Sequence, residues 1–184
     1  MRSLTQRAAA WIAQESERKP GPAAVEVTAL FVEFRSSLLR YAMSLGCDAL
    51  DGEDIVQEVF LALHRHLSEN KPRTNLRGWI FRTGHNLALK RRLAARPSVP
   101  IEDAILVMNA PNPEQRLAAV QNREQLNAIV EALPERDRYC LYLKMEGLRY
   151  REIAGVLDIS LGAVANSLGL TLSKLSVVTA GRKS

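Results

Sequence analysis

Cysteine is nearly absent from this chain of 184 residues. Cys47 and Cys140 stand far apart, and neither has a C-x-x-C partner. That removes the zinc-ribbon and dithiol chemistries, which need paired thiols. Two buried thiols in a reducing compartment are the expectation. Long apolar runs are missing too, and none approaches the roughly eighteen residues that suggest a membrane span. At the start, Arg2 and Arg7 are followed by Gln14, Glu15 and Glu17 before an apolar signal core can form. The chain is therefore expected to be cytoplasmic, uncleaved and without a membrane partner. There is no phosphate-binding glycine loop, no pair of catalytic acids in a pocket-forming context and no cluster of metal-ligand residues. His64, His66 and His85 are scattered, and two residues apart on a helix put the rings of His64 and His66 on different faces. The expectation is a protein that is not an enzyme and carries no cofactor and no metal. The most telling absence is local: residues 71–96 contain no acidic residue.

What remains is a helical pattern. Leu30, Phe31, Phe34, Leu38, Tyr41 and Leu45 recur at helical spacing, and a sustained period of two appears nowhere, so the fold class is all-α. Pro97, Pro100, Pro111 and Pro113 break any helix drawn through them. This gives two small helical domains joined by a proline-bearing linker. The expected divisions are an N-terminal extension over 1–22, a first domain over 23–96, a linker over 97–113, a second domain over 114–178 and a tail over 179–184.

Charge divides the first domain. The run from Gly52 to Leu63 opens with Glu53 and Asp54, which suit the positive end of a helix dipole. It then buries Ile55, Val56, Val59, Phe60, Leu63 and Leu67 on one stripe, leaving Asp54, Gln57, Glu58, Leu61 and Arg65 as a polar ridge with one exposed leucine. The acid-free stretch carries Lys71, Arg73, Arg77, Arg82, Lys90, Arg91, Arg92 and Arg96. Ordinary surfaces mix signs, so a face of this kind suits a polyanion. Leu76, Trp79, Ile80, Thr83 and Leu87 repeat at helical spacing as its expected core side, with Arg77, Arg82, His85, Asn86, Lys90 and Arg92 outward. The phase of Trp79 points to the core, with base stacking as the alternative.

The segment Glu53-Asp54-Ile55-Val56-Gln57-Glu58-Val59-Phe60, followed by Arg77-Gly78-Trp79-Ile80-Phe81-Arg82-Thr83-Gly84-His85-Asn86-Leu87-Ala88, resembles region 2 of the extracytoplasmic-function (ECF) sigma factors. The resemblance implies that Asp54, Gln57, Glu58 and Leu61 bind core RNA polymerase. It also implies that Arg77, Arg82, His85, Asn86, Lys90, Arg91 and Arg92 hold the minus-ten element of promoter DNA, Asn86 at a base edge and the arginines at phosphates.

In the second half, Leu133-Pro134-Glu135 and then Gly147-Leu148-Arg149-Tyr150-Arg151-Glu152-Ile153-Ala154 resemble region 4 of the same family. Ile153, Ala154, Leu157, Ile159, Val164 and Leu168 have the spacing of a helix-turn-helix core. Minus-thirty-five contacts would fall to Arg149, Arg151, Ser160, Asn166, Ser167 and Lys174. This chain departs from the family in its final helix, where Lys174 is the one charged residue between Leu161 and Leu175 and Gly169 interrupts the middle. The resemblance implies a sigma factor that binds core polymerase and promoter DNA, with an anti-sigma factor as a further partner common in the family. The alternative is a sigma-like regulator that binds polymerase or an anti-sigma factor without reading a promoter, since a leucine-rich, uncharged final helix also suits a protein partner.

Overall fold

The computed structural model describes residues 21–94 and 127–180, with side chains described as far as 176. The linker expected from the sequence lies outside these residues, as do positions 1–20 of the expected N-terminal extension, 114–126 of the expected second domain and 181–184 of the expected tail. The described elements are α1 (Pro22–Ser44), α2 (Ala49–Ser68), α3 (Leu76–Ala94), α4 (Glu135–Met145), α5 (Tyr150–Leu157) and α6 (Leu161–Ala180), with residues 127–131 also helical.

Local chemistry sets the helix ends. Pro22 opens α1, where its fixed φ suits the first turn and its missing N–H is no loss. Gly46, at φ +93°, closes it, and the Cys47 N–H returns to the Ala42 carbonyl. Asp48 caps α2 by accepting from the Asp51 N–H at 2.7 Å, so that helix begins at Ala49, three residues before the acidic run. Asn75 Oδ1 accepts from the Gly78 N–H at the start of α3, and Ser160 Oγ from the Ala163 N–H at the start of α6.

α1, α2 and α3 pack on one another around Phe34, Leu38, Tyr41, Ile55, Val56, Val59, Leu63, Ile80 and Phe81. Every apolar residue expected on the inner stripe of α2 is buried. α3 is rotated from its expected phase. Its buried residues are Gly78, Ile80, Phe81, Gly84, His85 and Ala88, while Leu76, Trp79, Thr83 and Leu87 are half-buried. The glycines explain the rotation, since a β-carbon on Gly84 would stand 2.6 Å from Leu38 Cδ1. This small side of α3 lets it lie close on α1.

In the second half, α5 and α6 meet at 107° across a turn in which Asp158 takes φ +54°. α4 packs on both, around Leu143, Leu148, Ile153, Val164 and Leu168. This is the expected helix-turn-helix. Both cysteines are buried thiols. No single helix among the described residues is long and apolar enough to cross a membrane.

Candidate functional site

The outward face of α2 carries the acidic ridge. Asp54, Gln57 and Glu58 are exposed, and Leu61 is 62 % exposed, an apolar point among charges. Arg91, reaching across from α3, joins this ridge. Its guanidinium donates to Asp51 Oδ1 at 3.0 Å, to the Asp51 carbonyl at 3.1 Å, to Asp54 Oδ2 at 3.4 Å and to Glu58 Oε1 at 2.6 Å. Arg91, expected among the minus-ten residues, is here the counter-charge to three α2 carboxylates.

On α3, Arg82, Asn86 and Lys90 are exposed at spacings of four, forming one continuous stripe. The other expected residues of that helix face elsewhere. His85, expected outward, is 6 % exposed. Its Nδ1 lies 2.8 Å from the Tyr41 hydroxyl, and its ring meets Tyr139 edge-on at 5.3 Å. Burial, reinforced by the charge of Arg92, pulls its pKa down to about 4, so the ring is neutral at ordinary pH. The rotation of α3 that buries Gly84 carries its neighbour His85 inward with it.

Arg77 and Arg92 lie where the two halves meet. Arg92 donates to Glu135 Oε1 at 2.6 Å and to the Tyr139 hydroxyl at 2.9 Å, both on α4. Arg77 donates to the Glu146 carbonyl at 2.6 Å and stands over the Phe34 ring, while its buried Nε has no hydrogen-bond partner among the described residues. Glu146 closes the same seam from the other side. Its carboxylate, 12 % exposed, takes both Nε and Nη2 of Arg40 at 3.0 and 2.6 Å. α3 also packs along α5. In this arrangement the second half covers part of the basic helix.

In the helix-turn-helix, Arg149, Arg151, Ser160, Asn166 and Lys174 are exposed. Ser167 is not: it is 1 % exposed and donates to Asp137 Oδ1 at 2.7 Å. A hydroxyl can satisfy a buried carboxylate as readily as a base edge, and helical phase alone did not separate the two. Ser160 serves the α6 backbone through its Oγ. The exposed surface of α6 includes Leu161, Leu170 and Leu172.

One feature of the first half was missed in the sequence. An open hollow of about 270 Å³ lies between the end of α2 and the start of α3, lined by Ala62, Arg65, His66, Glu69, Lys71 and Trp79. The Trp79 ring lies 5.0 Å from that of His66, whose Nε2 is 2.8 Å from the Pro72 carbonyl. Trp79 is thus half-buried, packed against the margin of the core and against His66. A tryptophan and two cations within about fifteen residues of one another were the available signal.

Comparison with known proteins places the chain in a family. Residues 30–97 match the family description Sigma-70 region 2, and residues 123–175 match Sigma-70, region 4. The ECF RNA polymerase sigma factor SigE of Mycolicibacterium smegmatis is 33 % identical over 141 residues, which are 70 % of this chain and 52 % of that protein. The ECF RNA polymerase sigma-E factor of Escherichia coli K12 is 29 % identical over 130 residues, 64 % of this chain and 68 % of that one. The match thus spans about half the length of the first relative and two thirds of the second. A solved structure of CnrH in complex with the cytosolic domain of CnrY shares the fold, with a TM-score of 0.59 at 23 % identity, over 85 % of this chain and 89 % of that one. Two sigma-70 regions in order, in an all-helical chain with ECF relatives, identify this protein as a member of the ECF sigma factor family.

Proposed function

We propose that this chain directs promoter-specific initiation by binding core RNA polymerase through the α2 ridge and promoter DNA through α3 and the helix-turn-helix, acting as a binding subunit rather than an enzyme. The observation that carries the reading is the pairing of two unlike surfaces on one small bundle. Asp54, Gln57, Glu58 and Leu61 form an acidic ridge with an apolar anchor, suited to a contact that forms and later releases. Arg82, Asn86 and Lys90 form an acid-free stripe on the next helix, suited to a nucleic-acid backbone with a base edge within reach of the amide.

The hollow beside Trp79 supports base stacking near that stripe. Arg77 and Arg92 join the DNA face only when α4 and α5 withdraw from α3, so opening of the seam precedes full promoter capture. Asn166, with Arg149, Arg151, Ser160 and Lys174 beside it, is the remaining set for the minus-thirty-five element. CnrH is known in complex with the cytosolic domain of CnrY, which supports a protein antagonist as a further partner here. The second reading, a regulator without promoter reading, draws on the exposed Leu161, Leu170 and Leu172.

Run-off transcription with purified core polymerase on a promoter library tests the choice. Initiation at a defined sequence, lost on replacing Arg82, Asn86 and Lys90 with alanine while core binding persists, supports the first reading. Core binding without initiation on any fragment moves the assignment to the second.

A further inference from the structure

Three carboxylates on one helix face repel one another. Asp51, Asp54 and Glu58 stand at spacings of three and four on α2, and each like-charge pair of that kind costs a helix a few tenths of a kcal/mol. A single cation from another helix answers all three. Arg91 meets Asp51 and Glu58 with separate nitrogens, reaches Asp54 as well, and adds a bond to the Asp51 backbone carbonyl. Only 23 % of its side chain is exposed, against 64 % for Asp54 and 50 % for Glu58. The guanidinium is therefore the inner member of the cluster, and the carboxylates are its outer edge. Arginine suits this place because its planar fork offers several donors at fixed angles, whereas an ammonium is one point.

We propose that Arg91 is a positioning residue of the polymerase-docking ridge, holding Asp54 and Glu58 in their outward rotamers, and not a phosphate ligand of promoter DNA. The assignment rests on the reading of the ridge as the core-binding surface. It follows from direction as well as distance. To reach DNA with the Arg82–Asn86–Lys90 stripe, Arg91 would have to abandon four bonds and leave three carboxylates unanswered. Held where it is, it presets the geometry a basic partner meets, lowering the ordering cost of docking.

The experiment uses the full chain and core polymerase. Core affinity is measured by competition for Arg91→Ala, Arg91→Lys, Asp51→Asn and the double variant of Arg91→Ala with Asp51→Asn, alongside thermal melting of each. Arg91→Ala is expected to weaken core binding roughly 3- to 10-fold, the range of one ordered charge network. Arg91→Lys should recover part of the loss. The double variant should also recover part, because neutralising Asp51 removes one repulsion that Arg91 had answered; measuring core affinity well below each variant's melting temperature keeps a destabilised fold from producing the same pattern. Binding of the saturated holoenzyme to a forked minus-ten DNA is followed across salt concentrations. The slope should be unchanged in Arg91→Ala, while a slope reduced by about 0.7–0.9, the signature of one lost phosphate contact, would overturn the proposal. Unaltered core affinity in Arg91→Ala would overturn it as well. Charge reversal of Asp54 and Glu58 separates the two failures: if that variant binds core normally, the ridge assignment itself falls, and if it does not bind while Arg91→Ala does, only the role of Arg91 falls.

Discussion

The seam between the two halves makes a quantitative prediction. Glu135→Gln together with Glu146→Gln removes both carboxylates that hold arginines of the first half while keeping side-chain shape. The Arg40–Glu146 pair is bidentate, but Arg40 is 56 % exposed, so solvent screening limits the pair to about 1 kcal/mol. Arg92–Glu135 is open on both sides, at 37 % and 50 % exposure, and contributes about 0.5 kcal/mol. The bond from Arg77 to the Glu146 carbonyl and the packing of Tyr139 on His85 survive the change. A loss of about 1–2 kcal/mol shifts the closed-to-open ratio by roughly 5- to 30-fold. Energy transfer between dyes on the exposed Ser68 and Ser173 should fall, and affinity for a single-stranded minus-ten oligonucleotide should rise by a comparable factor as far as the closed state dominates in the parent. Unchanged transfer with unchanged oligonucleotide affinity would refute the claim that these pairs hold the basic helix covered.

Three further outcomes are expected. His85 has a folded pKa of about 4 against 6.5 unfolded, so the unfolded chain binds the extra proton; stability is full above pH 6.5 and declines as pH falls towards 4, by up to about 3 kcal/mol. Urea midpoints across that window, compared with His85→Gln, check the slope. Ser167→Ala leaves the Asp137 carboxylate without its 2.7 Å donor and should cost about 1–3 kcal/mol in urea melts, while footprinting at a minus-thirty-five site shows no change of base preference. Gly169→Ala meets no heavy atom within 4 Å and should stabilise the chain by up to about 1 kcal/mol, seen as a higher Tm.

The helices of the first half were legible because α2 is amphipathic: its six expected inner residues are all buried. α3 was harder to phase, since Gly78 and Gly84 occupy its inner face and carry no apolar signal of their own. That is why Trp79 and Leu87, which pack at the margin of the core, looked like its centre and His85 like surface. Pairings distant in sequence were not legible at all. A run of basic residues is read as one face, whereas Arg82 and Lys90 face solvent, Arg91 turns to α2, and Arg77 and Arg92 turn to the second half. Ser167 shows the same limit, since its carboxylate partner lies thirty residues away.

Gly147 sets which substitutions the seam can feel. Its φ of +81° ends α4, and a β-carbon there would come within 2.9 Å of Arg77 Nη2. Arg77 bonds the carbonyl of residue 146 rather than its side chain, so no replacement at 146 short of moving the backbone erases that bond. The two positions that can erase it are Gly147, where a side chain would strain the left-handed turn and crowd the guanidinium, and Arg77, the donor itself. Substitutions at Glu135 and in the Glu146 side chain therefore loosen the seam while leaving this backbone-anchored hydrogen bond in place.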